Sequence, residues 1–332
     1  MIWSLQILRF IAALLVVYIH AVRIAVTATG SGGLLPLDVQ IVGRAGVDIF
    51  FVISGVIIAR VAVGLTWQEF AWRRWCRVVP IYFLASIPAV VIEAKTGFGW
   101  RDVLATYLLW PATDVMTIPM LTVAWTLCFE VLFYAATALL LWRRNALLVL
   151  LGLFGAAMIL RPAGPVFQFL GNPIIIEFLL GVGIAQLPKW PAARWGIVVG
   201  AATMLLAGPM GLAPDGEVLD VLAGTDIGWR VLVYGISAAL IVYGTMQLNA
   251  GPSFWTGQGD ASYAVYLTHL LILMALRPFW IAYPIAPDMV ILLSMFACVL
   301  FGWAVHARIE KPLLNSLSRR PIKASGVRIP AH

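Results

Sequence analysis

Long apolar stretches follow one another along this chain, with no polar block between them large enough to fold alone. A bilayer core takes roughly 20 mostly apolar residues per helix, with about 17 to 25 tolerated. That rule predicts ten transmembrane helices, near 5–27, 41–63, 78–95, 119–142, 145–161, 172–188, 194–212, 228–247, 261–281 and 287–308. The fifth and sixth are the shortest. Residues 102–112 are apolar but too brief to span, and read as a short helix at the interface, favoured there by Trp100 and Trp110. The longest polar interval, about Pro209 to Gly228, reads as a loop.

Composition agrees. Of 332 residues, 62% are hydrophobic and 11% charged, against about a quarter charged in soluble domains. The fold class is therefore all-α, a polytopic membrane domain over 1–312 followed by a basic tail over 313–332. Met1–Thr27 lacks the Lys/Arg-rich start of a signal peptide and is expected to stay attached as the first helix.

Charge sets the orientation. With a cytoplasmic N-terminus, Arg60, Arg73, Arg74, Arg77, Arg143, Arg144, Lys189, Arg194 and the tail all fall inside, about twice as many Lys and Arg as fall outside. The outer loop after the seventh span carries Asp215, Glu217, Asp220 and Asp226. Both ends are thus predicted to be cytoplasmic. The net charge of +7 is then a topology signal and implies no nucleic-acid partner. The tail is suited to the anionic headgroups of membrane lipids. Cys76, Cys128 and Cys298 lie far apart without metal-site spacing and read as buried thiols.

An ionisable side chain in the hydrocarbon costs about 2.5 to 3.5 kcal/mol on insertion scales, so each needs a reason. Arg9 and His20 share one face of the first helix, roughly 16 Å apart along its axis. Asp48 enters the second span by about two turns and Glu130 lies near the middle of the fourth. Depth counting puts both carboxylates level with His20, where a carboxylate would fix its tautomer and raise its basicity, as a general base requires. A polar contact that merely pins helices together is the simpler reading of the same residues. Arg74 and Arg77, three apart at the cytoplasmic end of the third span, share a helical face suited to a phosphate-bearing ligand. Ordinary flanking charge explains those two, though not Arg9 inside a span.

Five segments in order carry a resemblance: LRFIAALLVVYIH with Arg9 and His20, GRAGVDIFFVISG at 43–55, RRWCRVVPIYF at 73–83, AWTLCFEVLFY at 124–134 and ASYAVYLTH at 261–269. Together they resemble the acyltransferase-3 family of membrane acyltransferases, with Thr126 where that family has serine. The first two are similar to its exopolysaccharide-modifying branch. The resemblance implies a bacterial inner-membrane O-acyltransferase. Its donor would be cytosolic acetyl-CoA, a co-substrate, with no metal. Its acceptor would be a sugar hydroxyl of a lipid-linked or extracytoplasmic glycan, with polysaccharide assembly proteins as further partners. It also implies roles. His20 would be base or transient acyl carrier, and Arg9, Arg74 and Arg77 would serve the donor phosphates. Glu130 and Trp125 would support the histidine and the acyl pocket. Asp48 joins the catalytic set on depth alone. Many relatives carry an additional esterase-like domain, and none is expected before His332. A glycolipid transporter or flippase would equally explain ten helices with buried charges. It leaves the arginines on one side and the deeper histidine unexplained.

Overall fold

The computed structural model describes residues 2–318 except 96, 144, 215, 226 and 284. Among these the regular structure is all helical, the one extended pairing being an isolated bridge between Ala112 and Met116. Eight helical spans are long and apolar enough to cross a membrane. They are α1 (Trp3–Thr29), α2 (Leu37–Val61), α3 (Trp67–Glu93), α4 (Thr122–Trp142), α6 (Pro165–Gln186), α8 (Ile227–Thr245), α9 (Phe254–Ala282) and α10 (Pro287–Leu317). Two further apolar helices, α5 (Ala146–Ile159) and α7 (Pro191–Ala207), are shorter.

All ten expected segments are helical, but only eight meet the spanning length. At about 1.5 Å per residue, the 14 residues of α5 cover about two thirds of a bilayer core. The second short helix is α7 and not the sixth segment, because the sixth begins earlier, at Pro165. The interval around 209–228 is not wholly a loop. It holds a helix, Val218–Ala223, whose Leu222 is fully buried. Asn172 pins that helix, its Nδ2 donating to the carbonyls of Val221 at 2.8 Å and Leu222 at 3.1 Å. The outer-loop residues Asp215 and Asp226, together with Arg144 and the tail from 319 onward, lie outside the described residues.

α3 starts eleven residues before its expected position, for a local reason. Thr66 and Glu69 form a reciprocal cap: Thr66 Oγ1 accepts from the Glu69 N–H at 3.3 Å, and Glu69 Oε2 accepts from the Thr66 N–H at 3.0 Å. The helix then runs through Pro80 and Pro88 to Glu93. In consequence Arg73, Arg74 and Arg77 sit in its second and third turns and not in a flanking loop. α9 likewise starts early, at Phe254, behind a Ser253–Thr256 cap.

α1 is the central post, packed on α2, α9 and α10. Its contact face is built from small fully buried residues, among them Ala12, Ala13, Ala21 and Ala25, which let neighbouring helices approach closely. The tightest crossings use glycine. A methyl at Gly55 would overlap the Phe178 carbonyl on α6, and one at Gly259 would overlap the backbone of Gln6. The second crossing sets Asp260 beside Gln6, which donates to it at 3.1 Å.

The predicted short helix is present as Trp100–Tyr107. Tyr82 on α3 donates to the Thr106 carbonyl at 2.7 Å, and Thr106 Oγ1 accepts from the Met120 N–H at 3.0 Å. Trp100 is exposed, but Trp110 packs edge-on against Phe169 instead of facing outward. Outside the spans, Arg101 pairs with Asp114 and holds that carboxyl below its ordinary range. Cys76, Cys128 and Cys298 are buried free thiols.

Candidate functional site

At the end of the bundle where α1 begins, α1, α2, α3, α4, α9 and α10 enclose a cavity of about 750 Å³. Its inner wall is apolar, with Val47, Phe50, Phe51 and Leu127. Its mouth is cationic: Arg9, Arg60, Arg73, Arg74 and Arg77 line it, against the carboxylates Glu130 and Asp260. An arginine-rich rim over an apolar channel fits a ligand with an anionic head and a long neutral arm.

Three of these cations are held in place. Arg9 donates to Gln6 Oε1 at 3.1 Å, which continues the chain to Asp260. Arg77 Nη1 lies 3.6 Å from Oε1 of Glu310, whose other oxygen pairs with His306 at 2.7 Å. The π-helical turn His306–Glu310 brings that glutamate inward, where it is buried. The Arg74 guanidinium lies over the Tyr134 ring, 5.8 Å from its centre. The Tyr134 hydroxyl in turn donates to Glu130. Arg74 Nε is buried with no hydrogen-bond partner, a donor left for a ligand.

The sequence reading gathers His20, Asp48 and Glu130 at one depth. The structure does not bring them together. Glu130 lines the arginine cavity, while His20 stands eleven residues up α1 from Arg9 and is not part of the cavity wall. Asp48 is fully buried and takes a bidentate pair from Arg230 on α8, at 2.8 Å to Oδ1 and 2.7 Å to Oδ2. Arg230 also donates to the Arg44 carbonyl at 3.2 Å. Glu177 lies buried against this pair with neither oxygen hydrogen-bonded. Hydropathy fixes where a segment crosses but not its vertical offset against its neighbours, so counting turns misplaced both carboxylates. Trp125 also misses the cavity. It is buried and packs edge-on against Phe51 and Phe129, while its neighbours Thr126 and Leu127 line the wall.

The neighbour His20 does have is a second histidine. His269 on α9 lies with its ring centre 5.0 Å from that of His20. His20 Nδ1 stands 2.8 Å from the Val16 carbonyl, and His269 Nδ1 stands 2.6 Å from the Tyr266 carbonyl. A carbonyl only accepts, so both Nδ1 atoms carry hydrogen and both neutral rings keep their lone pair on Nε2. His269 Nε2 is buried without a partner. Tyr266 joins this pair to the cavity. It lines the cavity and packs on both Phe50 and His269, with its hydroxyl donating to the Val123 carbonyl and bonding Thr126. The ASYAVYLTH segment contained the signal for His269 and Tyr266, which spacing within one helix could not match to α1.

Comparison with known proteins bears on this geometry. The model of the acyltransferase domain of the acyltransferase-3 family matches residues 2–307. The exopolysaccharide production protein ExoZ of Rhizobium meliloti (strain 1021) is 32% identical over 309 residues, covering 85% of this chain and 93% of that protein. The acyltransferase MdmB of Streptomyces mycarofaciens is 23% identical, covering 96% and 92%. No solved structure is significantly similar to the chain.

Proposed function

Because the chain belongs to the acyltransferase-3 family of membrane acyltransferases, we propose that it moves an acetyl group from cytosolic acetyl-CoA to a sugar hydroxyl of a bacterial exopolysaccharide or related lipid-linked or extracytoplasmic glycan. The observation that carries this reading is the cavity in which Arg9, Arg74 and Arg77 meet above an apolar channel. Likeness to a protein of exopolysaccharide production supports the acceptor class. The preponderance of Lys and Arg at this end supports an inner-membrane protein with the cavity open to the cytoplasm and both termini inside.

In this reading the arginines hold the donor phosphates and the pantetheine arm descends the apolar wall towards Phe50 and Tyr266. His20 Nε2 removes the proton of the sugar hydroxyl as its oxygen attacks the thioester carbonyl carbon. The C–S bond breaks and CoA leaves as the thiol, taking from His20 Nε2 the proton that came from the sugar hydroxyl. Such a positioned base contributes about 10² to 10⁴ in rate. His269 packs against the His20 ring and keeps it in place. Glu130 acts on the donor side, holding Tyr134 beneath Arg74.

Arg74→Ala and Arg77→Ala should each weaken acetyl-CoA binding by about ten- to a hundredfold, because charge-assisted hydrogen bonds to phosphate are worth roughly 1.5–3 kcal/mol. Lysine should restore only part of it, having no planar fork. Titration of acetyl-CoA onto the detergent-purified protein measures this. Unchanged donor affinity in both alanine variants would reduce these arginines to bundle architecture.

A further inference from the structure

A second cavity, of about 310 Å³, opens beside the first, and the two share Ile2 and Arg60. Its wall collects Trp3 and Ser4 from the start of α1, Arg60 from the end of α2, Lys189 from the α6–α7 connection, and Gln247 and Asn249 from beyond α8. Gln247 is committed to the fold: the Trp190 N–H donates to its Oε1 at 2.9 Å and its Nε2 donates to the Tyr243 carbonyl at 3.0 Å. Ser4 is not. It is 4% exposed and its Oγ has no hydrogen-bond partner. Among the described residues, no carboxylate lines this cavity, so Arg60 and Lys189 give it a net positive charge.

These groups specify a ligand class. Two cations with no local anion favour phosphate. The Trp3 indole offers a face on which a planar base stacks. A buried hydroxyl without a partner is satisfied by a ribose or base polar group. Arg60 stands at the junction with the large cavity, so one molecule can reach from one into the other. We propose that this second cavity is the subsite for the phosphorylated nucleoside end of the acyl donor, an inference that rests on the donor reading above. The thioester arm then lies along the large cavity, with the nucleoside turned past Arg60 towards Lys189 and Trp3.

The test compares CoA, 4′-phosphopantetheine and adenosine 3′,5′-bisphosphate as ligands of the purified full-length protein. Wild type should bind CoA at least about tenfold tighter than 4′-phosphopantetheine, the contribution of charge-assisted phosphate contacts and base stacking. Adenosine 3′,5′-bisphosphate should compete with CoA. Lys189→Glu, a change at an exposed side chain, should remove most of that preference while leaving 4′-phosphopantetheine binding unchanged. Trp3→Leu should do so in part. Equal affinity of wild type for the two thiols, or a variant that weakens both alike, would overturn the subsite and leave the donor reading standing. If neither thiol binds wild type, the donor reading fails and the subsite goes with it.

Discussion

His20→Ala is expected to abolish acyl transfer to the glycan, by at least about a hundredfold, while the protein stays folded and inserted. The substitution removes the Nε2 lone pair that the reaction uses and breaks one side-chain bond, to Val16 within the same helix. α1 keeps its buried alanine face and its contacts with α2, α9 and α10, so the cost to stability is small. His269 does not replace His20, because its Nε2 is enclosed. The check is acylated glycan per folded molecule, with thermal unfolding in detergent run alongside. Activity within about threefold of wild type, well below what a positioned base contributes, would remove His20 from the reaction.

Arg230→Leu should instead strike the fold. The guanidinium is the cation seated among Asp48 and Glu177, and its loss leaves two buried carboxylates facing each other. Removing one partner of a buried ion pair costs roughly 3–5 kcal/mol, because the remaining charge is left uncompensated. Expression and thermal stability should fall steeply, and Arg230→Lys should recover part of the loss without the bidentate geometry. Asp48→Asn should be milder, since Glu177 lies close enough to take over the cation. The readout that separates structure from chemistry is turnover per folded molecule. Normal stability with lost turnover in Asp48→Asn would return Asp48 to the catalytic set in which depth counting placed it.

The contrast between these two sites shows what the chain discloses before it folds. The apolar runs announce the helices, since hydrocarbon admits backbone only when its hydrogen bonds close within the segment. Arg9, Arg74 and Arg77 were legible as a group because each breaks an apolar pattern at a similar distance from a helix end, and the structure does set them around one cavity. The early start of α3 was also written locally, in the Thr66–Glu69 cap, but hydropathy weighs the polar first turns of a helix as loop. The Asp48–Arg230 pair joins residues 182 apart, and neither carries a local sign of the other. The same holds for His20 and His269. Their meeting depends on how α1 crosses α9, which small residues permit but do not specify.

If one catalyst takes an acyl group from a thioester in the arginine cavity and delivers it to a glycan hydroxyl, a single assay reads the whole transfer. The measurement that reaches it most directly incubates purified protein in proteoliposomes with acetyl-labelled CoA and a lipid-linked glycan fraction. Acyl transfer by this route puts label on the glycan in an alkali-labile ester with wild type, none with His20→Ala, and shows a raised donor requirement with Arg74→Ala. Movement of glycolipid across the bilayer with no label transferred, by a protein that binds acetyl-CoA no better than its Arg74→Ala variant, would contradict it.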